Sequence, residues 1–148
     1  MLKARQAYAT IRFMLPTITD PPRYVFVYGT LRRGESNDIN RLAPAPVFVG
    51  KAKINGLLYD LGMYPGMRLG GPDWVQGEVY RTTLKLEQRL DEIESILPHP
   101  TGEYIRREWM VQCQNELLLC LVYEIAEARV AGKPLISNGD WVQRKKDD

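Results

Sequence analysis

The sequence is poor in the residues that hold metals and form disulfides. Its 148 residues include two cysteines and one histidine, which is too few for a zinc cluster, and Cys113 and Cys120 do not form a CxxC motif. We therefore expect no metal site and two free, buried thiols in a reducing compartment such as the cytoplasm. A hydrolase triad has little support, because His99 stands between two prolines without a recognisable serine or cysteine partner.

Charge of one sign and long apolar runs are also scarce. The formal net charge is +2, and the arginines are mixed with acidic residues rather than gathered into a stripe, which argues against nucleic acid as a partner. No apolar run approaches the ~20 residues that span a bilayer, so no membrane partner is predicted. The length fits a single domain whose core needs neither disulfide nor metal, and the oligomeric state is left open.

The sequence predicts that the chain consists of a leader, a domain and a tail. Residues 1–23 form the leader, which carries Lys3, Arg5 and Arg12 before Pro21-Pro22 ends it. It resembles a transit peptide in charge only, and a flexible or peripherally packed segment is the simpler interpretation. The domain covers residues 24–142, and a charged tail covers residues 143–148.

Strands dominate the secondary structure that the hydrophobic pattern predicts. The predicted strands cover residues 24–28, 47–61, 67–69, 74–81, 104–113 and 117–124. Gly50 and Gly56 predict bends inside the second strand, and Gln114-Asn115 predicts the turn of the last hairpin. A short helix capped by Ser36 or Asn37 is predicted to reach residue 42.

One main helix is predicted from a cap at Thr82 or Thr83 to about residue 96. Its apolar face consists of Leu86, Leu90, Ile93 and Leu97, which follow one another at helical spacing. Few helices and many strands predict an α+β fold. We expect a strongly bent, mixed but mostly antiparallel sheet that closes as a small barrel, since its strands contain glycines.

Glu94 is the acidic residue nearest the apolar face of this helix. It lies roughly 70° from the centre of that face on a helical wheel, whereas Glu87, Asp91 and Glu92 lie farther round and are predicted to face water. Partial desolvation at such a border raises the pKa of a carboxylate and makes it a candidate general base. The alternative is a solvated glutamate. Arg89 lies at a similar angle on the opposite border of the apolar face, so a border position is not specific to catalytic residues.

The turn from Tyr28 to Arg32 is the second candidate site. A strand that ends in Gly29-Thr30 leaves backbone N–H groups without partners, and such groups can converge on an anion. We expect Gly29 to be required for close approach of the backbone, or for a positive φ. The alternative is a glycine that only ends a strand.

Several motifs in order resemble the γ-glutamylcyclotransferase-like family, which includes γ-glutamylamine cyclotransferases and plant avirulence-induced-gene-like proteins. The resemblance covers residues 24–142 and depends on the register of all the motifs together. They are VYGTLRRG at 27–34, GLLYDLG at 56–62, YPG at 64–66, VQGEVY at 75–80, LDEIE at 90–94, YIRR at 104–107 and ISNGDW at 136–141.

The resemblance implies an enzyme that cyclises a γ-glutamyl amine to 5-oxoproline, with a small-molecule substrate and no cofactor. It implies a bent, mixed sheet that closes on itself, with a cavity whose floor is the YGTLR turn. The backbone amides of Gly29, Thr30 and Leu31, with Arg32 beside them, would hold the substrate's α-carboxylate. Glu94 would be the catalytic acid/base, taking a proton from the α-amine before it attacks the γ-carbonyl.

Further pocket residues follow from the same resemblance. Tyr28 and Tyr104 would shape the pocket, and Tyr64 and Pro65 would lie near its opening. Ser95 departs from the glycine that many members carry after the glutamate, and the segment 96–103 is longer than in compact relatives, so the substrate range is open. The motif YGTL, in place of YGSL, makes glutathione a less favoured substrate.

Two other functions fit the same residues. One is a non-catalytic protein that binds a small amino-acid-like ligand, and the other is a tailoring cyclotransferase that acts on a carrier-bound γ-glutamyl intermediate. A purely structural interaction module would explain neither the glycine turn nor the border glutamate.

Overall fold

A computed structural model describes residues 22–96 and 99–144. The predicted leader and tail lie outside these ranges, except for Pro22, Arg23 and residues 143–144. In chain order the elements are β1 (Arg23–Val27), β2 (Val47–Asp60), β3 (Pro65–Thr82), α1 (Leu84–Ile93), β4 (Tyr104–Cys113) and β5 (Glu116–Ile125), with 3₁₀ turns at Ile39–Arg41 and Glu127–Arg129. The α+β class with one main helix is confirmed for the described residues.

The five strands form one mixed sheet in the order β2-β3-β1-β5-β4. β1 pairs with β5 in parallel, and the other three pairs are antiparallel, as predicted. The predicted closure into a barrel is not supported, because β2 and β4 are the two edges and no ladder joins them in the described residues. These edges approach through side chains, where Cys113 Sγ lies 3.7 Å from the carbonyl oxygen of Lys51.

The β2–β3 hairpin contains the bends that its glycines predict. Register shifts fall between Phe48 and Gly50 and between Asn55 and Gly56. β3 is longer than predicted, since it runs without interruption through residues that the sequence analysis assigned to a loop. Gly70 and Gly71 have φ angles of 96° and 93°, which let the strand bend without ending.

The β4–β5 hairpin turns at Gln114-Asn115, as predicted. Both residues have positive φ angles, 48° and 69°, which is the conformation of a type I′ turn.

The predicted short helix is a single 3₁₀ turn, and its cap is Asp38 rather than Ser36 or Asn37. Asp38 accepts a hydrogen bond from the backbone N–H of Asn40 at 2.9 Å.

α1 begins where the sequence predicts and ends earlier. The Thr83 hydroxyl accepts a hydrogen bond from the N–H of Leu86 at 3.2 Å, which caps the helix. Leu86 and Leu90 are buried, whereas the predicted contribution of Leu97 lies outside the described residues. Glu94 is the C-cap residue, one position past the last helical residue.

The prediction that Glu87 and Asp91 face water is wrong. Both side chains are buried, because arginines from the sheet pair with them. Arg106 Nη2 lies 3.0 Å from Glu87, and Arg106 Nη1 lies 2.5 Å from Asp91. Arg23 also pairs with Glu87 at 2.5 Å, so the strands supply the charge that allows this side of the helix to be buried.

β1 lies in the middle of the sheet and contributes to a core on each of its two faces. Phe26 and Tyr28 pack in one hydrophobic cluster, and Val25 and Val27 pack in the other, which contains Leu90. Alternating side chains of a central strand therefore hold both layers in place.

Among the described residues, no helix is both long and apolar enough to cross a membrane.

Candidate active site

A cavity of about 350 Å³ lies where β1 ends. Its walls come from the turn after β1, the start of β3, the end of α1 and the start of β4. The side chains that matter below are those of Tyr28, Tyr64, Pro65, Glu94, Glu103, Tyr104 and Tyr123, together with the backbone of residues 29–31. The fold thus brings both sequence-predicted candidates, the glycine turn and Glu94, to one cavity.

The backbone carbonyl and N–H groups of the turn after β1 differ in their hydrogen bonding. The carbonyl oxygens of Gly29, Thr30 and Leu31 accept hydrogen bonds from the N–H groups of Arg32, Asn37 and Ile39 at 2.9–3.0 Å. Within residues 22–96 and 99–144, the N–H groups of Gly29, Thr30 and Leu31 have no acceptor. Three donors without partners at a cavity wall form a site suited to an anion.

Gly29 is required for close packing rather than for an unusual φ angle. Its φ is not in the positive range, so that part of the expectation is wrong. A Cβ atom at this position would lie 2.6 Å from Pro65 Cγ, well inside van der Waals contact. The glycine therefore lets the turn lie directly against the start of β3, which fixes one wall of the cavity.

Arg32 does not line the cavity, although the sequence analysis placed it in the binding turn. Its buried guanidinium pairs with Glu78 at 3.0 Å and with Asp140 at 2.8 Å. Glu78 also accepts a hydrogen bond from the N–H of Arg33 at 3.0 Å. These bonds join the YGTLR turn to β3 and to the ISNGDW segment, so Arg32 supports the turn from behind.

The end of α1 places Glu94. The N–H of Ser95 donates to the carbonyl of Glu92, and the N–H of Ile96 donates to that of Asp91, which is the pattern of a Schellman motif. Ser95 has the left-handed φ of 59° that this motif requires. Glycine adopts this φ angle without steric cost, so the serine holds a backbone conformation that favours glycine.

Glu94 is a partly buried carboxylate without a counter-ion in the described parts of the chain. Burial raises its pKa to about 7, and the negative charges of Glu103 and Asp91 contribute to the rise. A carboxylate with this pKa holds and releases a proton close to neutral pH. It can accept a proton from an ammonium group and return it to a departing amine.

Tyrosine side chains fix the shape of the cavity. Tyr28 donates to the carbonyl oxygen of Tyr123 at 2.6 Å and accepts from the N–H of Met67 at 3.2 Å. Tyr104 donates to the carbonyl oxygen of Pro65 at 2.7 Å. Burial raises the pKa of Tyr28, Tyr104 and Tyr123, so these hydroxyls stay protonated and act as fixed donors.

Glu103 is a cavity residue that the sequence analysis did not find. Its Oε2 accepts a hydrogen bond from the Tyr64 hydroxyl at 2.5 Å, and this bond raises the pKa of Tyr64. Glu103 precedes β4 in an irregular segment, where no periodicity marks the direction of a side chain. Its position next to Tyr104 in the sequence was the available signal.

A network of hydrogen bonds supports the cavity from the side of α1. The Tyr123 hydroxyl donates to Asp91 at 2.6 Å, and Asp91 is in turn paired with Arg106. Within the described ranges, no cluster of three or more His, Cys, Asp or Glu side chains is arranged to hold a metal ion. The cavity is lined by the carboxylates of Glu94 and Glu103, by tyrosine hydroxyls and by the backbone of the turn.

Comparison with known proteins defines the class of this chain. Residues 25–143 match the family model described as gamma-glutamyl cyclotransferase, AIG2-like. The matched segment includes the sheet except for the first two residues of β1, together with α1 and every residue of the cavity named above. The chain belongs to this family.

Individual relatives agree with this assignment. The gamma-glutamylcyclotransferase family protein YtfP of Escherichia coli K12 is 34% identical over 122 residues, covering 82% of this chain and 98% of that protein. Gamma-L-glutamyl-butirosin B gamma-glutamyl cyclotransferase of Niallia circulans is 38% identical over 92 residues, covering 61% of this chain and 56% of that protein. An AIG2-like protein of Mus musculus has a similar crystal structure, with a TM-score of 0.64 and 25% identity over 78% of this chain and 86% of that one.

Proposed function

We propose that this protein cyclises the glutamyl group of a γ-glutamyl amine, releasing 5-oxoproline and the free amine. Family membership supports the reaction type, and the observation that carries the proposal is the position of Glu94. Its unpaired carboxylate, with a pKa of about 7, lines the same cavity as the free N–H groups of the turn. A proton acceptor and a carboxylate-binding site are the two elements that this reaction needs.

The substrate's α-carboxylate would bind to the turn. The N–H groups of Gly29, Thr30 and Leu31 would each donate a hydrogen bond to it, as backbone nests do with anions. This anchors the glutamyl group at the end where its α-amine is attached. The amine and the γ-carbonyl belong to one molecule, so much of the entropic cost of bringing them together is already met.

Glu94 would carry protons from the substrate's α-amine to the leaving amine. The α-amine arrives as an ammonium and gives its proton to the Glu94 carboxylate. The amine lone pair then attacks the γ-carbonyl carbon, which closes a five-membered ring and forms a C–N bond. As the bond between that carbon and the leaving nitrogen breaks, Glu94 gives its proton to the departing nitrogen. The ring nitrogen then loses its second proton to the Glu94 carboxylate, which passes it to the released amine, so the amine leaves as an ammonium and Glu94 is again a carboxylate. No bond to the enzyme forms at any stage.

Substitution of Glu94 by glutamine tests this role directly. Glutamine keeps the shape of the side chain but cannot accept a proton, so Glu94→Gln is expected to lose cyclisation by at least ~100-fold, the low end of general acid/base contributions. Release of 5-oxoproline from a panel of γ-glutamyl amines, followed by mass spectrometry, measures the change.

Glu92→Gln is the matched control, because Glu92 is exposed on the same helix and does not line the cavity. It should turn over the panel at the wild-type rate. Full activity of Glu94→Gln would remove Glu94 from the mechanism. Tight binding of the panel to the wild-type protein without any turnover would instead favour the ligand-binding alternative.

Removal of the α-carboxylate from the substrate tests the turn. A 4-aminobutyryl amide keeps the amine and the carbonyl but lacks the group that the N–H donors would hold. We expect its KM to rise at least about tenfold relative to the γ-glutamyl amide, since hydrogen bonds to a charged group each contribute about 1.5–3 kcal/mol. Equal KM values for the two amides would show that the turn does not bind the carboxylate.

A further inference from the structure

The ISNGDW segment lies outside the cavity but is fixed to the sheet behind it. None of its residues lines the cavity. The carbonyl oxygen of Gly139 accepts a hydrogen bond from the N–H of Gln76 at 2.8 Å, and a Cβ atom on Gly139 would lie 1.9 Å from the carbonyl oxygen of Trp74. Trp141 is 2% exposed and packs in the core. Asp140 therefore stands between two residues that are held against the sheet.

The side chain of Asp140 is fixed by its own segment and contacts the turn after β1. Its Oδ1 accepts hydrogen bonds from the N–H groups of Val142 at 3.1 Å and Gln143 at 3.2 Å. The same oxygen accepts from Arg32 Nη1 at 2.8 Å, while Arg32 Nε donates to Glu78 at 3.0 Å. The Arg32 side chain is 9% exposed. A buried guanidinium with carboxylates on two of its nitrogens has a fixed orientation.

The backbone of Arg32 closes the turn that carries the free N–H groups. Its N–H donates to the carbonyl oxygen of Gly29 at 3.0 Å, and the N–H of Arg33 donates to Glu78 at 3.0 Å. Residues 29–31 come directly before this closed end. Successive N–H groups converge on one anion only in particular backbone conformations, so whatever fixes Arg32 also fixes the direction of these donors.

We propose that Asp140 is a positioning residue that acts through Arg32 on the three backbone N–H groups of residues 29–31. This inference rests on the proposed function, and it adds to that function a role for the ISNGDW segment. Asp140 does not line the cavity, so it acts without touching the substrate. By its charge alone, a carboxylate behind the turn weakens the binding of an anion. Anchoring and charge repulsion therefore predict opposite results when Asp140 loses its charge.

Asp140→Asn tests the anchor. The amide oxygen can still accept from the N–H groups of Val142 and Gln143, whereas Arg32 loses one of its two carboxylate partners. The substrates are γ-glutamyl butylamide and 4-aminobutyryl butylamide, which differ in the α-carboxylate alone. We expect KM to rise at least about fivefold for the first and less than about twofold for the second, with kcat nearly unchanged, because only the first binds the N–H groups.

Asp73→Asn is the matched control, because Asp73 is exposed on β3 and does not line the cavity. The same loss of charge there should leave both KM values unchanged. An unchanged or lower KM of the γ-glutamyl amide in Asp140→Asn would overturn the inference. An equal rise for the two amides would also overturn it, since that result indicates a general disturbance of the cavity.

Arg32→Lys tests the same contact from the other side and does not depend on the folding of Asp140→Asn. Lysine keeps the positive charge but lacks the planar fork that binds two carboxylates at once. We expect the same rise in KM, confined to the γ-glutamyl amide. Equal changes for the two amides, or no change for either, would remove Arg32 from the role.

Binding measured without turnover separates this inference from the proposed function. Calorimetry is expected to give a Kd for γ-glutamyl butylamide at least about fivefold weaker with the double variant Glu94→Gln, Asp140→Asn than with Glu94→Gln alone. That difference, found together with no cyclisation by the wild-type protein, would support the anchor and refute the enzyme. Equal Kd values would refute the anchor whether or not cyclisation occurs.

Discussion

The acidic residues Glu87, Asp91 and Glu94, on α1 and at its C-cap, fall into two groups according to whether an arginine pairs with them. Glu87 and Asp91, in the body of the helix, are buried against arginines of β1 and β4. Glu94, at the C-cap, is partly buried and has no cation beside it in the described ranges. Although burial by itself would raise the pKa of Glu87, its hydrogen bonds with Arg23 and Arg106 lower it. Burial of Glu94 without such bonds raises its pKa to about 7.

This difference shows how one helix carries both a structural and a chemical carboxylate. The paired acids anchor the helix to the sheet, and the arginines hold the pKa of Glu87 below its ordinary value, so Glu87 stays ionised near neutral pH. The unpaired acid keeps a proton affinity that suits transfer to and from an amine. The decisive feature is the arginine partner and not the position on the helix.

The largest expected effect is on the pH dependence of turnover. Below a pKa of about 7 the Glu94 carboxyl is increasingly protonated and cannot accept the substrate's proton. We expect kcat/KM to fall about tenfold per pH unit on the acid side, and therefore about a hundredfold at pH 5. Initial rates of 5-oxoproline release between pH 5 and 8 measure this. A flat profile over that range would mean that Glu94 titrates as an ordinary glutamate.

Removal of one charge from each group should change stability in opposite directions. The folded-state pKa of Glu94 lies above its ordinary value of 4.5, so stability is lost as the pH rises between the two values. Glu94→Gln at pH 8 should regain at most about 3 kcal/mol, since one pKa unit corresponds to about 1.4 kcal/mol. The gain should vanish toward pH 4.

Glu87→Gln provides the opposite arm of this comparison. Its lowered pKa contributes stability that is present at neutral pH and is lost in acid. We expect a loss of about 2 kcal/mol at pH 8, because Arg23 loses its carboxylate partner and Arg106 keeps only Asp91. Urea unfolding at pH 8 and pH 4 measures both variants. A loss of stability in both at pH 8 would contradict the assignment of Glu94 as an unpaired, strained charge.

The smallest expected effect concerns the residue after Glu94. Ser95 has a φ of 59°, and glycine adopts this conformation without the steric cost of a Cβ atom. Ser95→Gly should therefore stabilise the protein by about 0.5–1 kcal/mol in thermal or urea unfolding. Ser95→Ala is the control, because it removes the hydroxyl and keeps the Cβ atom. A similar gain from alanine would show that the hydroxyl, and not the φ angle, is responsible.

Local patterns in the sequence were sufficient where local interactions decide the structure. The hairpin turn at Gln114-Asn115, the helix cap at Thr83 and the bends at Gly50 and Gly56 each depend on a residue's own conformational preference. The long β3 was not predicted as one strand, because β2 pairs with it on both sides of residues 70–73 and leaves those four residues in a register shift. Barrel closure was predicted from strand glycines and from the family resemblance, neither of which specifies whether edge strands pair.

By itself the sequence determined the family motifs, the succession of strands and helix along the chain, and the two candidate sites, which are the glycine turn and Glu94. Only the tertiary structure decided that Glu87 is buried, because its partners Arg106 and Arg23 lie 19 and 64 residues away in the chain. It also placed Glu103 at the cavity and Arg32 behind the turn. A helical wheel compares a residue with its neighbours on one helix, whereas burial and charge pairing depend on what the rest of the fold packs against it.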